Sequence, residues 1–120
     1  MTARLGFEHE LQLLRENLTE MGHLIEVAIE KTLYAFETQD EALANEIIQG
    51  DRNVNDMEKT IEARCLSLIL KQQPVARDLR IVTTALKVVT DMERIGDHAA
   101  DIAELILREK RIPPSYPNYS

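Results

Sequence analysis

The chain has 120 residues, the length of one domain, with 44% hydrophobic residues but only 4% aromatics and no Trp, so its core must be aliphatic. Four glycines and four prolines, three of the prolines in the last eight residues, are too few turn-formers for a sandwich or barrel of many short strands. With 14 basic against 21 acidic residues the net charge is −7, a balance that repels polyphosphate and argues against nonspecific nucleic-acid binding.

The first segment shows Phe7, Leu11, Leu14, Leu18, Met21, Ile25 and Ala28, spaced alternately by four and three. That spacing predicts a helix with one apolar seam. It runs on through Ala35 and Phe36 and stops near Thr38, Gln39 and Asp40. Asp40 is the expected N-cap of the next helix. The second helix carries Leu43, Ile47, Gly50, Val54, Met57, Ile61, Cys65 and Leu68 and ends at Lys71-Gln72-Gln73. Pro74 then suits the first turn of a third helix, and Asp78 complements the positive end of its dipole. The third seam is Val75, Leu79, Val82, Leu86, Val89, Met92, Ile95, Ala99, Ile102 and Ile106.

These breaks predict helices over 6–38, 41–71 and 75–110. Short loops between long helices force neighbours antiparallel, so the expected fold is all-α, an up-down-up three-helix bundle over residues 1–112. Residues 113–120, Pro-Pro-Ser-Tyr-Pro-Asn-Tyr-Ser, have no periodicity and read as a tail or the start of a linker.

Compartment follows from what is missing. The single Cys65 forms no intrachain disulfide and fits a reducing environment. Met1 to Gln12 carries both signs of charge and no apolar h-region. No apolar stretch approaches the ~20 residues of a membrane span. The expectation is a soluble, cytoplasmic protein that does not insert into membranes.

Two polar stripes are the informative feature. Asp51, Asn55, Glu58 and Glu62 share one face of helix two; Glu93, Asp97, Asp101 and Glu104 share one face of helix three. Taken singly, each stripe is what the solvated face of an acidic protein looks like. Register adds weight. If the hairpin turns near Gln73, antiparallel neighbours place Asp51 beside Ile95 and Asn55 beside Asp91, so the stripes are level within about one turn. Gly50 and Gly96 then fall opposite each other, as if two backbones approach closely there. Glu93 sits at the edge of the seam, because the apolar residues shift to Met92 and Ile95. Carboxylates brought together need protons or cations, and a hard metal ion with oxygen ligands is the natural compensation. The expected ligands are Asp51, Asn55, Glu93 and Asp97, with Glu58 and Asp101 as outer members. Fe, Mn, Mg or Ca suits such donors, and carboxylates hold Zn as well.

The remaining candidates read as structure. His98 points about 100° away from Asp97 on the helix. His9 and His23 have no evident partners, and Cys65 continues the apolar seam. Arg80, Lys87 and Arg94 form an ordinary charged face. There is no phosphate loop, nucleophile elbow, Cys-x-x-Cys or His-Glu-x-x-His, so no catalytic residue or organic cofactor site is assigned.

Four stretches together resemble the PhoU family: Asp51-Arg52-Asn53-Val54-Asn55-Asp56-Met57-Glu58, Cys65-Leu66-Ser67-Leu68-Ile69, Gln72-Gln73-Pro74-Val75-Ala76-Arg77-Asp78-Leu79-Arg80 and Asp91-Met92-Glu93-Arg94-Ile95-Gly96-Asp97-His98-Ala99. The resemblance runs from Phe7 to about Arg111 in order. It implies an accessory regulator of phosphate uptake, a non-enzyme that represses the phosphate-starvation response. The implied partners are the phosphate ABC transporter ATPase and its sensor histidine kinase. It also implies two similar three-helix bundles per protein, a homodimer, and a multinuclear metal site on Glu/Asp-x-x-x-Asp motifs. Glu93 and Asp97 match that motif, and Asp51 and Asn55 match its counterpart on the preceding helix. The rival function class is a metal-dependent, carboxylate-bridged enzyme on a helical bundle. Di-iron enzymes of that kind use Glu-x-x-His, and no His follows a stripe Glu by three here. A purely structural bundle with solvated stripes is the third reading.

Overall fold

The computed structural model describes the backbone of residues 2–72 and 74–111, and side chains for 4–70 and 74–109. Among the described residues there are three helices and no strand: α1, Thr2–Thr38; α2, Glu41–Gln72; α3, Ala76–Arg111. They form an antiparallel three-helix bundle with extents of 71 × 21 × 16 Å. The expected tail at 113–120 lies outside the described residues.

Helix α1 starts at Thr2, four residues ahead of the predicted start at residue 6. Arg4 holds it there, ion-paired to Glu8 one turn on and to Asp78 of α3. At the other end Gln39 adopts φ 54°, and the Asp40 amide donates to the Ala35 carbonyl at 3.2 Å. This is a left-handed helix stop of the kind glycine usually occupies. The Gln39 side chain donates to the Phe36 carbonyl at 2.8 Å. Asp40 caps α2 as expected, its Oδ1 accepting from the Leu43 amide at 3.0 Å. At the start of α3 the Val75 carbonyl accepts the first helical bond, from Leu79. Pro74 therefore stands just outside the helix, not in its first turn as predicted.

The core has two parts. The end near the α2–α3 turn is filled by large side chains, among them Phe7, Leu14, Met21, Ile61, Leu68 and Val89. The end near the α1–α2 turn is filled by Ala35, Ala44, Ala99 and Ala103 with Ile47 and Ile106. The seam residues Phe36, Val75, Leu79, Ile95 and Ile102 are exposed, contrary to expectation. The inner row of α3 is instead Val82, Ala85, Val89, Gly96, Ala99, Ala103 and Ile106. Small residues took the inner face there because three helices converge closely, and the larger isoleucines were left outside.

Candidate metal centre

The junction of the two core regions positions the acidic groups. Gly96 is buried there, and a methyl group added to it would meet Val54 Cγ1 at 3.1 Å, Ile25 Cδ1 at 3.2 Å and Asp51 Oδ1 at 3.5 Å. All three helices thus meet at Gly96, as the close-approach reading expected of it. The counterpart expectation fails for Gly50, which has nothing within 4 Å of its missing side chain. Gly50 instead borders a cavity of about 140 Å³ shared with Gly96, Ala28, Lys31 and Asp51.

Asp51 reaches into this junction from α2. Its Oδ1 is buried and has no hydrogen-bond partner. Burial pushes its carboxyl pKa up, and the charges of Asp97 and Asp101 push the same way, partly offset by the Asn55 amide. Glu93 is half-buried, one turn before Asp97. Hydrogen bonding with Asp97 raises the Glu93 pKa to about 7, aided by burial and by the charges of Glu58, Asp97 and Asp51. Burial also raises Glu58, followed by the charges of Glu62 and Asp97, against a partial offset from Lys59. Asp51, Glu58, Glu93, Asp97 and Asp101 therefore share one negative field across α2 and α3, with Asn55 beside Asp51. Asp101 and Glu104 are exposed, and so is His98.

Two features here were not in the expected site. Glu62 acts on Glu58 and also raises Cys65 to about 11, behind the larger effect of burial. Its i, i+4 spacing from Glu58 was the available signal. Helix α1 contributes Ile25, Ala28 and Lys31 to the junction, the last ion-paired with Glu46 at 3.1 Å. No pattern in the α1 sequence marks those residues apart from an ordinary seam.

Fit to a cation divides into chemistry and geometry. The donor set is all oxygen, one carboxylate oxygen is buried without a partner, and the Glu93 carboxyl is pushed up to about 7 by its neighbours and by burial. All three are symptoms of uncompensated negative charge that a hard cation relieves. The geometry is open: among the described residues, no three His, Cys, Asp or Glu side chains are gathered closely enough to hold one ion as they stand.

Fold and site together define a class: an acidic three-helix bundle with a carboxylate cluster between two antiparallel helices. The chain belongs to the PhoU family, whose domain model matches residues 18–106. It is 47% identical over 109 residues to the phosphate-specific transport system accessory protein PhoU homolog of Clostridium acetobutylicum, covering 90% of this chain and 49% of that one. It is 39% identical over 103 residues to the accessory protein PhoU of Escherichia coli K12, covering 86% of this chain and 43% of that protein. The Aquifex aeolicus homolog is also 39% identical, over 108 residues, with 90% and 49% covered. The chain thus spans about half the length of the curated relatives it matches.

Proposed function

We propose that this chain is an accessory regulator of phosphate uptake that works by contact and not by turnover. It binds the cytoplasmic ATPase of a phosphate ABC transporter, its sensor histidine kinase, or both, and holds the starvation response off when phosphate is plentiful. It acts in the cytoplasm as a homo-oligomer. The observation that carries this reading is the family match over residues 18–106, a span that contains the carboxylate cluster. Among the described residues no helix is long and apolar enough to cross a membrane.

Asp51, Asn55, Glu93 and Asp97 hold a metal ion or cluster, with Glu58 and Asp101 completing it; Fe, Mn, Mg or Zn fits the oxygen donors. The metal is a structural or sensing element that neutralises the cluster and ties α2 to α3. Pull-down of the transporter ATPase and of the kinase's cytoplasmic part tests the adaptor reading, and capture of neither removes it. Calorimetric titration with each metal tests the site. Binding is expected for wild type and at least about tenfold weaker for a Glu93→Gln, Asp97→Asn double variant. Equal binding by both would leave the stripes as a solvated face. Turnover by the metal-loaded protein would move the reading to the carboxylate-bridged enzyme class.

A further inference from the structure

Among the described residues around the cavity of about 140 Å³, Lys31 of α1 is the one cation and Asp51 of α2 the one anion. Asp51 brings its buried Oδ1, which has no hydrogen-bond partner. That oxygen lies against Gly96, 3.5 Å from where a methyl group would stand, and Gly96 lines the cavity too. Lys31 Nζ is turned the other way, 3.1 Å from Glu46 Oε1, where the two side chains are 38% and 59% exposed.

The fold offers Lys31 a second position. The turn at Gln39 and Asp40 joins antiparallel α1 and α2 and sets Asp51 level with Ala28, one turn before Lys31. At 1.5 Å per residue the offset along the axis is about 4.5 Å. Helical side chains lean toward the N-terminus of their own helix, so Lys31 leans toward the level of Asp51. Its four-carbon stem spans such an offset. Gly50 borders the cavity as well, and nothing lies within 4 Å of its missing side chain, which leaves room for an ammonium group. An exposed ion pair such as Lys31–Glu46 is weak, so leaving it costs little. A buried carboxylate oxygen without a donor is costly, and a charge-assisted hydrogen bond removes that cost.

We propose that Lys31 is an internal counter-ion of the carboxylate cluster: its ammonium moves from Glu46 into the cavity beside Gly50, pairs with Asp51 Oδ1, and gives way when a cation occupies the cluster. Helix α1, which carries none of the cluster's carboxylates, thereby responds to what α2 and α3 hold. Occupancy of the cluster returns Lys31 to Glu46 on the surface. The competition rests on the cation reading of the proposed function; the pairing of Lys31 with Asp51 does not.

The pairing is tested first with chelator present, by urea denaturation of the 120-residue chain carrying Lys31→Met, Asp51→Asn or both. Lys31→Met should raise the unfolding constant at least about fivefold more with Asp51 in place than with Asp51→Asn. A direct pair in the cavity keeps most of this coupling at about 0.5 M salt, whereas attraction through solvent is screened away. The competition is tested by titrating Mn²⁺ and Mg²⁺ ions into the wild type, Lys31→Met, Glu46→Gln and the Lys31→Met, Glu46→Gln double variant. Lys31→Met should tighten binding at least about threefold. Glu46→Gln, which frees Lys31 for the cavity, should weaken binding when Lys31 is present and leave it unchanged in the Lys31→Met chain. Additive effects of Lys31→Met and Asp51→Asn, or a coupling abolished by salt, would overturn the pairing even if the ions bind. Equal weakening by Glu46→Gln with and without Lys31 would reduce Lys31 to a distant charge and overturn the competition. Coupling intact with neither ion bound by the wild type would remove the cation reading and leave the internal pair standing.

Discussion

The two ends of the bundle solve the same packing problem with different side chains. Near the α2–α3 turn, Phe7, Leu14, Met21, Ile61, Leu68 and Val89 fill the axis. Near the α1–α2 turn, four alanines do most of it. Large side chains stabilise by burying apolar area, about 25 cal/mol per Å². Alanines bury little but let the helices approach closely. Where one regime gives way to the other, neither fills the space, and a cavity of about 140 Å³ remains beside Gly50, Gly96 and Asp51. The carboxylate cluster sits at this junction. A bundle filled with leucine throughout would have excluded Asp51; one filled with alanine throughout would have had less area to hold it together against the charge.

The largest losses of stability are expected in the large-residue end. Leu14→Ala or Ile61→Ala, both fully buried, should lose about 3 kcal/mol in chemical denaturation, from lost transfer energy and an unfilled cavity. Ala103, also fully buried, should respond the other way to size. Ala103→Leu overpacks the close end and should lose about 2 kcal/mol despite the good helix propensity of Leu. If both ends tolerated both changes, the division of the core would be cosmetic. Cys65 offers a chemical probe of the same end. Buried and with its thiol pushed up to about 11, it should react with thiol reagents far more slowly in the folded protein than in denaturant.

At the junction, Gly96→Leu should cost about 2 kcal/mol, since even a methyl group there meets Val54 and Ile25 inside ordinary contact distance. Gly50→Ala should be neutral or stabilising, because its side chain would enter open space and Ala favours helix. A larger penalty at Gly50 than at Gly96 would reverse the assignment of the close contact.

The pH dependence sharpens the same boundary. Glu93 titrates near 7 in the fold, above its ordinary value of 4.5. Between those two values the folded state holds more protons than the unfolded chain, so stability falls as pH rises through this window and stays reduced above it. Without metal, Glu93→Gln should therefore raise the melting temperature at pH 8 and change it much less at pH 4. A bound cation should erase that difference. An effect of Glu93→Gln equal at both pH values would mean that the Glu93 carboxyl does not feel its neighbours.

The smallest expected change lies at the turn beyond the alanine-rich end. Gln39 occupies a left-handed position at φ 54°. Gln39→Gly should add about 0.5–1 kcal/mol if the strain relieved exceeds the extra freedom glycine has when unfolded and the loss of the bond to the Phe36 carbonyl. Destabilisation would show that this side-chain bond outweighs the backbone strain.

Much of this was legible along the chain. The three helices, their breaks, the Asp40 cap and the one-sided acidic stripes follow from period and local chemistry, because each depends only on residues within a turn or two. The level of the two stripes followed from one short loop, and the mutual influence of Asp51, Glu93 and Asp97 agrees with it. Other features were decided only in three dimensions. Periodicity gives a side chain's direction on its own helix, but the distance to the next helix depends on side-chain volumes from all three. That is why Ala103, outside the expected seam, lies inside with Ala99, while Ile95 and Ile102, which the seam included, lie outside. It is also why Gly50 borders a cavity while Gly96 touches its neighbours, and why Arg4 reaches Asp78 across 74 positions of sequence. Local spacing determined what each helix offers; the mutual fit of three helices decided which offers were buried, and so where the charge was trapped.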